Sequence, residues 1–190
     1  MSKLTRETVV AAALDLLDEG GLDAISTRQL AKRLGIEQPS LYWHFRNKEE
    51  LLAAMAEVAM IPHAEALLPG EAANWRDWLR ENNRSFRRTL LMRRDGARLH
   101  AGTRPAPGEM GKIMRKVAYL VESGLTEHDA KMAMHATGRF TIGSVLEQQA
   151  DHSAVVEGVE PIDPEVAFEE GLSLIVDGLS NRARKSSDRP

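Results

Sequence analysis

The chain has 190 residues, 43% of them hydrophobic and 28% charged, with a net charge of −3; this is the balance of a globular protein and excludes a mostly disordered or fibrous one. It has no cysteine, which excludes disulfides, zinc fingers, iron–sulfur clusters and cysteine nucleophiles. No run of about 18 apolar residues is available to cross a membrane, and the N-terminal residues lack a signal-peptide core, so a cytoplasmic protein with no membrane partner is expected.

Helical spacing dominates and strand-like alternation is absent, which makes the expected fold class all-α. Thr5 caps a first helix carrying Val10, Ala13, Leu14 and Leu17 on one face, and Gly20-Gly21 ends it. Ser26 or Thr27 caps a short second helix with Leu30, Ala31 and Leu34, stopped at Gly35. A third short helix begins with Pro39 in its first turn and runs to about Phe45. Asn47, with Glu50 three residues on, opens a fourth that is predicted to reach Ile61, where Pro62 interrupts it.

In the second half, Asn74 caps a helix to about Met92 that holds Trp75, Trp78, Leu79, Phe86 and Leu90. Asp95 to His100 form a short turn, and residues 101–108 are rich in helix breakers. Helices follow from about Glu109 to Ser123 and from Thr126 to about Gln149. Residues 150–163 read as a loop. A last helix starts at Asp163-Pro164 and ends near Leu179, with a basic, disordered tail over 182–190.

Residues 27–45 have helix-turn-helix grammar. At 100° per residue, Leu41 and Phe45 share a face while Trp43 points away, flanked by Gln38, Pro39 and Tyr42 on one side and Ser40 and His44 on the other. Between Ser26 and Lys48 there are five basic residues, Arg28, Lys32, Arg33, Arg46 and Lys48, against one acid, Glu37. A basic patch on an acidic protein is an electrostatic footprint for nucleic acid. Two readings of Tyr42 and Trp43 stand open. One places them in the core; the other places them in a major groove, beside a Gln able to bond an adenine edge and an Arg able to bond a guanine edge. The wheel favours the second, because Leu41, Phe45 and Trp43 cannot all be buried on one side. Lys48, at a helix N-terminus, suits a phosphate.

The stretch from Ser26 to Lys48, with Leu41-Tyr42-Trp43-His44 and Asn47-Lys48, resembles the TetR family of repressors and, within it, the tetracycline repressor subgroup. A second block agrees: Trp75, Leu79, Asn82, Ser85-Phe86-Arg87, Arg94-Asp95-Gly96-Ala97 and His100-Ala101-Gly102-Thr103-Arg104-Pro105. A third is Gly138, Phe140-Thr141, Gly143 and Val145-Leu146-Glu147. The resemblance implies a repressor of double-stranded operator DNA that is released by a small-molecule effector and acts as a homodimer. It also implies a helix-turn-helix DNA-binding head over 1–47 and an effector-binding and dimerisation core over 48–181. The positions matching Thr27, Arg28, Gln38, Pro39, Ser40, Tyr42, Trp43, His44 and Lys48 touch operator in that subgroup.

The resemblance further implies an effector pocket at Asn82, Phe86, His100, Thr103, Arg104 and Pro105, with Lys116 and Arg139 standing at two further pocket positions. Magnesium would arrive with the effector, bound by His100 and, through waters, by Thr103 and by Glu147 of the other subunit. No obligatory cofactor is implied. Three positions depart from the subgroup: Ala64 replaces a drug-binding histidine, Lys116 a glutamine and Arg139 a histidine. If Lys116 and Arg139 point inward they favour a more acidic ligand. The effector therefore stays open between a tetracycline-like chelate and an unrelated organic acid, and a regulator without an effector remains a third reading. His63, His128, His135 and His152 have no ligand-like partners in the sequence. No nucleophile–base signature, HExxH motif or cofactor glycine fingerprint is present, so an enzyme is not expected. The stripe Phe168, Leu172, Ile175, Val176 and Leu179 on the last helix must be covered. The favoured cover is the twin helix of a second subunit, the alternative its own core.

Overall fold

The computed structural model describes residues 4–64, 74–104, 107–150 and 162–187. Pro105 and most of the loop expected at 150–163 lie outside the described residues. Among those residues there is no strand, and no helix is long and apolar enough to cross a membrane.

The first helix, α1 (Arg6–Gly20), opens on a reciprocal cap: Thr8 N–H donates to the Thr5 hydroxyl and Thr5 N–H to that of Thr8. One 3₁₀ turn, Leu22–Ala24, leads to α2 (Thr27–Leu34), capped by the Ser26 hydroxyl. The element predicted as a helix from Pro39 to Phe45 is a 3₁₀ helix, Gln38–Trp43. Its bonds close over three residues, from Ser40 N–H to Glu37 O at 2.9 Å and from His44 N–H to Leu41 O at 2.9 Å. Pro39 sits in the first turn, where its missing N–H costs nothing in either kind of turn. Asn47 accepts from Glu50 N–H and starts α3 (Lys48–Ala59). That helix stops before Ile61. Pro62 does not interrupt it but sits in the first turn of α4 (Ile61–Ala64), where a missing N–H is harmless.

The remaining helices are α5 (Trp75–Leu91), α6 (Gly96–Ala101), α7 (Pro107–Glu122), α8 (Glu127–Gln149) and α9 (Pro164–Ser187). The breaker-rich segment is therefore shorter than predicted, since Pro107 is tolerated at a helix start. The final helix runs on through residues 182–187, which the sequence places in a disordered tail. Residues 181–185 include no helix breaker, and Arg182 pairs with Asp129 of α8 at 3.2 Å, which ties the extension back to the fold.

One hydrophobic cluster joins α1, α2, the 3₁₀ helix and α3 through Val9, Leu17, Leu30, Leu41, Phe45 and Met55. Its packing runs past residue 47, because Leu51, Ala54, Met55 and Ala56 of α3 belong to it; the cap at Asn47 marks a helix start, not the edge of a packed unit. Leu99 of α6 is also part of this cluster. A second cluster joins α5, α7, α8 and α9 through Trp75, Leu79, Leu120, Ala133, Phe168, Leu172 and Val176. A third, with Met60, Phe86, Leu90, Ala97 and Val145, lies between them.

The stripe on α9 thus receives the less favoured of its two covers. Phe168, Leu172, Val176 and Leu179 are buried within their own chain. Leu174, 75% exposed, and Val166 lie outside that buried stripe. A buried polar seam runs along α8: the single Thr141 hydroxyl proton is shared between Thr137 O at 2.9 Å and Asn83 Oδ1 at 3.1 Å, and Asn83 Nδ2 donates to Leu79 O at 2.8 Å. Arg87 bridges three helices, pairing with Glu165, donating to Gln148 Oε1 at 2.8 Å and lying 4.9 Å over the Phe168 ring.

At the corner between α5 and α6, a Cβ placed on Gly96 would lie 2.1 Å from the Leu90 carbonyl oxygen. That atom is backbone and cannot swing aside. Gly96→Ala is expected to lower unfolding stability by about 3 kcal/mol, the upper end of ordinary overpacking, read as a lower urea midpoint at unchanged slope. An unmoved midpoint would mean that α6 can shift away from α5.

Candidate DNA interface and effector site

Leu41 and Phe45 anchor the 3₁₀ helix in the head, and the outward side chains follow from that anchoring. Trp43 is 89% exposed and Tyr42 52% exposed. Arg28, Gln38, Pro39 and Lys48 are exposed, while Thr27, Ser40 and His44 are partly so. Gln38 Nε2 donates to Thr27 Oγ1 at 2.9 Å, which leaves the amide oxygen and the second N–H for another partner. Monomeric proteins gain nothing from two exposed aromatics beside free cations, whereas a nucleic-acid surface uses both.

Two parts of this region were not legible in the sequence. Arg33, counted with the basic patch, instead pairs with Glu19 at 2.8 Å and Asp15 at 3.5 Å on α1. It braces α2 against α1. Arg6 donates to His44 O at 2.7 Å and to Glu50 Oε1 at 2.9 Å, with its guanidinium 4.2 Å over the Phe45 ring. The Arg46 N–H donates to the other Glu50 oxygen at 2.9 Å. That backbone bond, then Arg6, holds the Glu50 carboxyl below its ordinary range. The residues after Trp43 are thereby fixed to both α1 and α3.

A second cluster forms where α4, α5, α6 and α7 meet. Phe86 of α5 has ring contacts with His63 of α4 at 5.2 Å and with His100 of α6 at 5.1 Å. Asn82, buried, lies one turn before Phe86 on the same face of α5. Lys116 of α7 reaches in, its Nζ 2.9 Å from His63 Nε2, and His63 Nδ1 is 3.2 Å from Ser85 Oγ. With Lys116 charged, Nε2 accepts and Nδ1–H donates to Ser85. His63 is therefore no base for that hydroxyl, and the pair is not a nucleophile–base couple.

Of the residues the sequence proposes for an effector, Phe86, His100 and Lys116 come together around His63; Asn82 is buried one turn from Phe86, Thr103 is half-buried near the end of α6, and Arg104 is exposed. Arg139 does not join them. The buried positions of α8 are Ala133, Thr137, Thr141 and Val145, and Arg139 is turned roughly 200° from Thr137 at about 100° per residue. It is exposed, as is Glu147 for the same reason. His63, which the sequence leaves without a partner, stands at the centre; its one sequence signal is its place beside Ala64, where the resemblance puts a ligand histidine.

The donor set does not make a metal site within the chain. Among the described residues no group of three His, Asp or Glu is placed to hold an ion. The Thr103 hydroxyl already donates to His100 O at 3.1 Å. A lone imidazole falls short of the oxygen octahedron that magnesium requires.

Burial, together with the charge of Lys116, pushes the His63 pKa down to about 3, and burial pushes Lys116 down to about 8. For His63 the unfolded chain takes up the proton first, so its contribution is fully present above pH 6.5 and is lost as pH falls from 6.5 toward 3. Lys116 gives the same sign in another window: the unfolded chain keeps its proton longer, so stability rises between about pH 8 and 10.5. His63→Gln is expected to flatten the acid limb of stability against pH. Urea unfolding across that limb checks it, and an unchanged slope would place the imidazole in water.

The head is latched to α6. Asp95 stands at φ 55°, and its Oδ2 accepts from Leu22 N–H at 2.7 Å and from Arg98 at 3.2 Å. Arg98 also donates to both Asp23 oxygens, at 3.1 and 3.2 Å, and these bonds hold the Asp23 carboxyl below its usual range. Gly21, at φ 78°, makes room: a Cβ there would meet Asp95 Oδ2 at 2.7 Å. Arg93 pairs with Asp18, and Arg94 donates to Glu19 O at 2.9 Å. His100, Leu99 and Asp95 thus place the ligand cluster, the head core and the latch on one short helix.

Two family models match this chain. Residues 9–55 match the family model for bacterial regulatory proteins of the tetR family, and residues 68–161 match that for a tetracyclin repressor-like C-terminal domain. The class A tetracycline repressor protein from transposon 1721 of Escherichia coli is 43% identical over 201 residues, covering 96% of this chain and 93% of the relative. A TetR-family transcriptional regulator from Streptomyces coelicolor is 58% identical, with a TM-score of 0.75 over 94% of this chain and 99% of that one. A class A TetR in complex with 5a,6-anhydrotetracycline and magnesium is 47% identical, with a TM-score of 0.80 over 94% of this chain and 99% of that one.

Proposed function

The chain belongs to the TetR family of bacterial regulatory proteins, and from that premise we propose a dimeric transcriptional repressor that holds a palindromic DNA operator and leaves it when a small molecule enters the Phe86 cluster. It is not an enzyme. The observation that carries the DNA reading is the exposed Trp43 and Tyr42 beside a Gln38 held in place by Thr27. The 3₁₀ helix enters the major groove. Gln38 and Arg28 read base edges, Pro39 and Tyr42 meet thymine methyls, and Ser40, His44 and Lys48 fix the backbone. Residues 1–47, together with Lys48, supply these contacts, and the rest of residues 48–181 the ligand site and dimer faces. The protein acts in the cytoplasm, with its operator.

Asn82, Phe86, His100, Thr103, Arg104 and Lys116 line the effector site, and Pro105 adjoins it in sequence. Glu147, exposed on α8, meets a ligand only in a second subunit. Magnesium accompanies the ligand in the class A relative; a chelating effector would bring it here too, with His100 the group to touch it, whereas a simple organic acid would bind without it. The chain's own contribution is to bind and orient the ligand and to carry its arrival through α6 to the head.

Fluorescence anisotropy on palindromic duplexes, with half-sites about one helical turn apart, tests the DNA reading. Gln38→Ala is expected to cost about 1–3 kcal/mol at one base position and to relax selectivity there. Lys48→Ala is expected to weaken all sequences alike and to lower the salt slope by about 1. A uniform loss from Gln38→Ala would mean that the 3₁₀ helix lies in the groove the other way round.

A further inference from the structure

The half-buried ammonium of Lys116 has a neutral imidazole as its hydrogen-bond partner, and among the described residues no carboxylate acts on it. The other charges facing it do not supply one. Lys112, on the same helix, is a like charge, and Glu109 acts on His100. A cation partly stripped of water, with no counter-charge among the described residues, favours whatever brings one. Beside it Phe86 offers an aromatic ring and Asn82 an amide.

We propose that the effector is a planar organic anion whose acidic oxygen pairs with Lys116 Nζ while its ring system lies against Phe86. This rests on reading the cluster as the effector site. Lysine acts as a point charge and demands no forked geometry, so a carboxylate, phenolate or enolate oxygen serves alike. The pairing needs no metal. It also has a consequence for α6: an anion that takes Lys116 off His63 Nε2 frees the imidazole, which shares the Phe86 ring with His100. Arrival of the ligand is then felt on the helix that latches the head.

The test is calorimetric titration of the full chain with a matched pair of probes, naphthoate and its neutral isostere naphthamide, each with magnesium and with a chelator. Wild type is expected to bind the acid at least tenfold more tightly than the amide, with no dependence on the metal. Lys116→Met should erase that preference, and Lys116→Arg should restore it; DNA binding by each variant reports an intact fold. Equal binding of acid and amide by wild type, or a preference that survives Lys116→Met, overturns the anion proposal and leaves the site standing. Binding of neither probe at millimolar concentration overturns both the proposal and the reading of this cluster as a ligand site.

Discussion

A Leu174→Glu chain is expected to stay folded, to sediment as a monomer and to lose its hold on palindromic DNA. Leu174 is 75% exposed on α9, turned roughly 200° from Leu172 and from Val176, both fully buried. A leucine that open, with Val166 two turns earlier and Met132 exposed on α8, belongs to a face that a second chain covers. A Cβ added at Gly143 of α8 or Gly178 of α9 would meet nothing within 4 Å, so both helices allow close approach there. A carboxylate on that face costs several kcal/mol when the dimer buries it unpaired, and nothing when the monomer leaves it in water. Leu172→Glu is the contrast: it buries a charge inside one chain and should unfold it, since the penalty rivals a domain's whole stability. Sedimentation, circular dichroism and anisotropy on the same samples decide the matter. A Leu174→Glu protein that remains a dimer and binds operator would put the interface elsewhere.

That contrast marks where the sequence was readable. Periodicity shows that a face of α9 is apolar, but the cover of an apolar face depends on which helix the chain brings back against it, and no local pattern encodes that. The same limit explains Arg33 and Arg139. The charge count places Arg33, and the resemblance places Arg139, among useful cations, yet one is claimed by two acids on α1 and the other lies opposite the buried positions of α8. The reading of residues 38–45 held up better because its constraint is local. Leu41 is buried, and Trp43, two residues on, falls about 200° away in an α turn and about 240° away in a 3₁₀ turn, so it points outward in either. His63 escaped for the opposite reason: its partners, Ser85 and Lys116, are 22 and 53 residues away in sequence.

Replacing Asp95 by alanine is expected to weaken the coupling of the effector site to the head while leaving each intact. The carboxylate is largely buried, 16% exposed, and accepts from Leu22 N–H and Arg98 together. Removing it orphans a backbone donor and loosens the head from α6, which Leu99 and the exposed Arg98–Asp23 pairs still touch, so less of any movement of His100 reaches the DNA surface. Effector affinity should change little, because Asp95 makes no contact with Phe86, His100 or Lys116. The change in DNA affinity caused by a releasing compound should shrink by about 1–3 kcal/mol, the usual size of an allosteric coupling. Arg98→Ala should do less, since its pairs with Asp23 are exposed and worth at most about 1 kcal/mol. Asp95→Asn keeps an oxygen for Leu22 and should restore most of the response; that arm separates a lost hydrogen bond from a backbone effect at the positive φ. The measurement is operator release at saturating compound, for wild type and the three variants. Full release from the Asp95→Ala protein would show that the signal reaches the head through α3 and Leu99 packing rather than through this carboxylate.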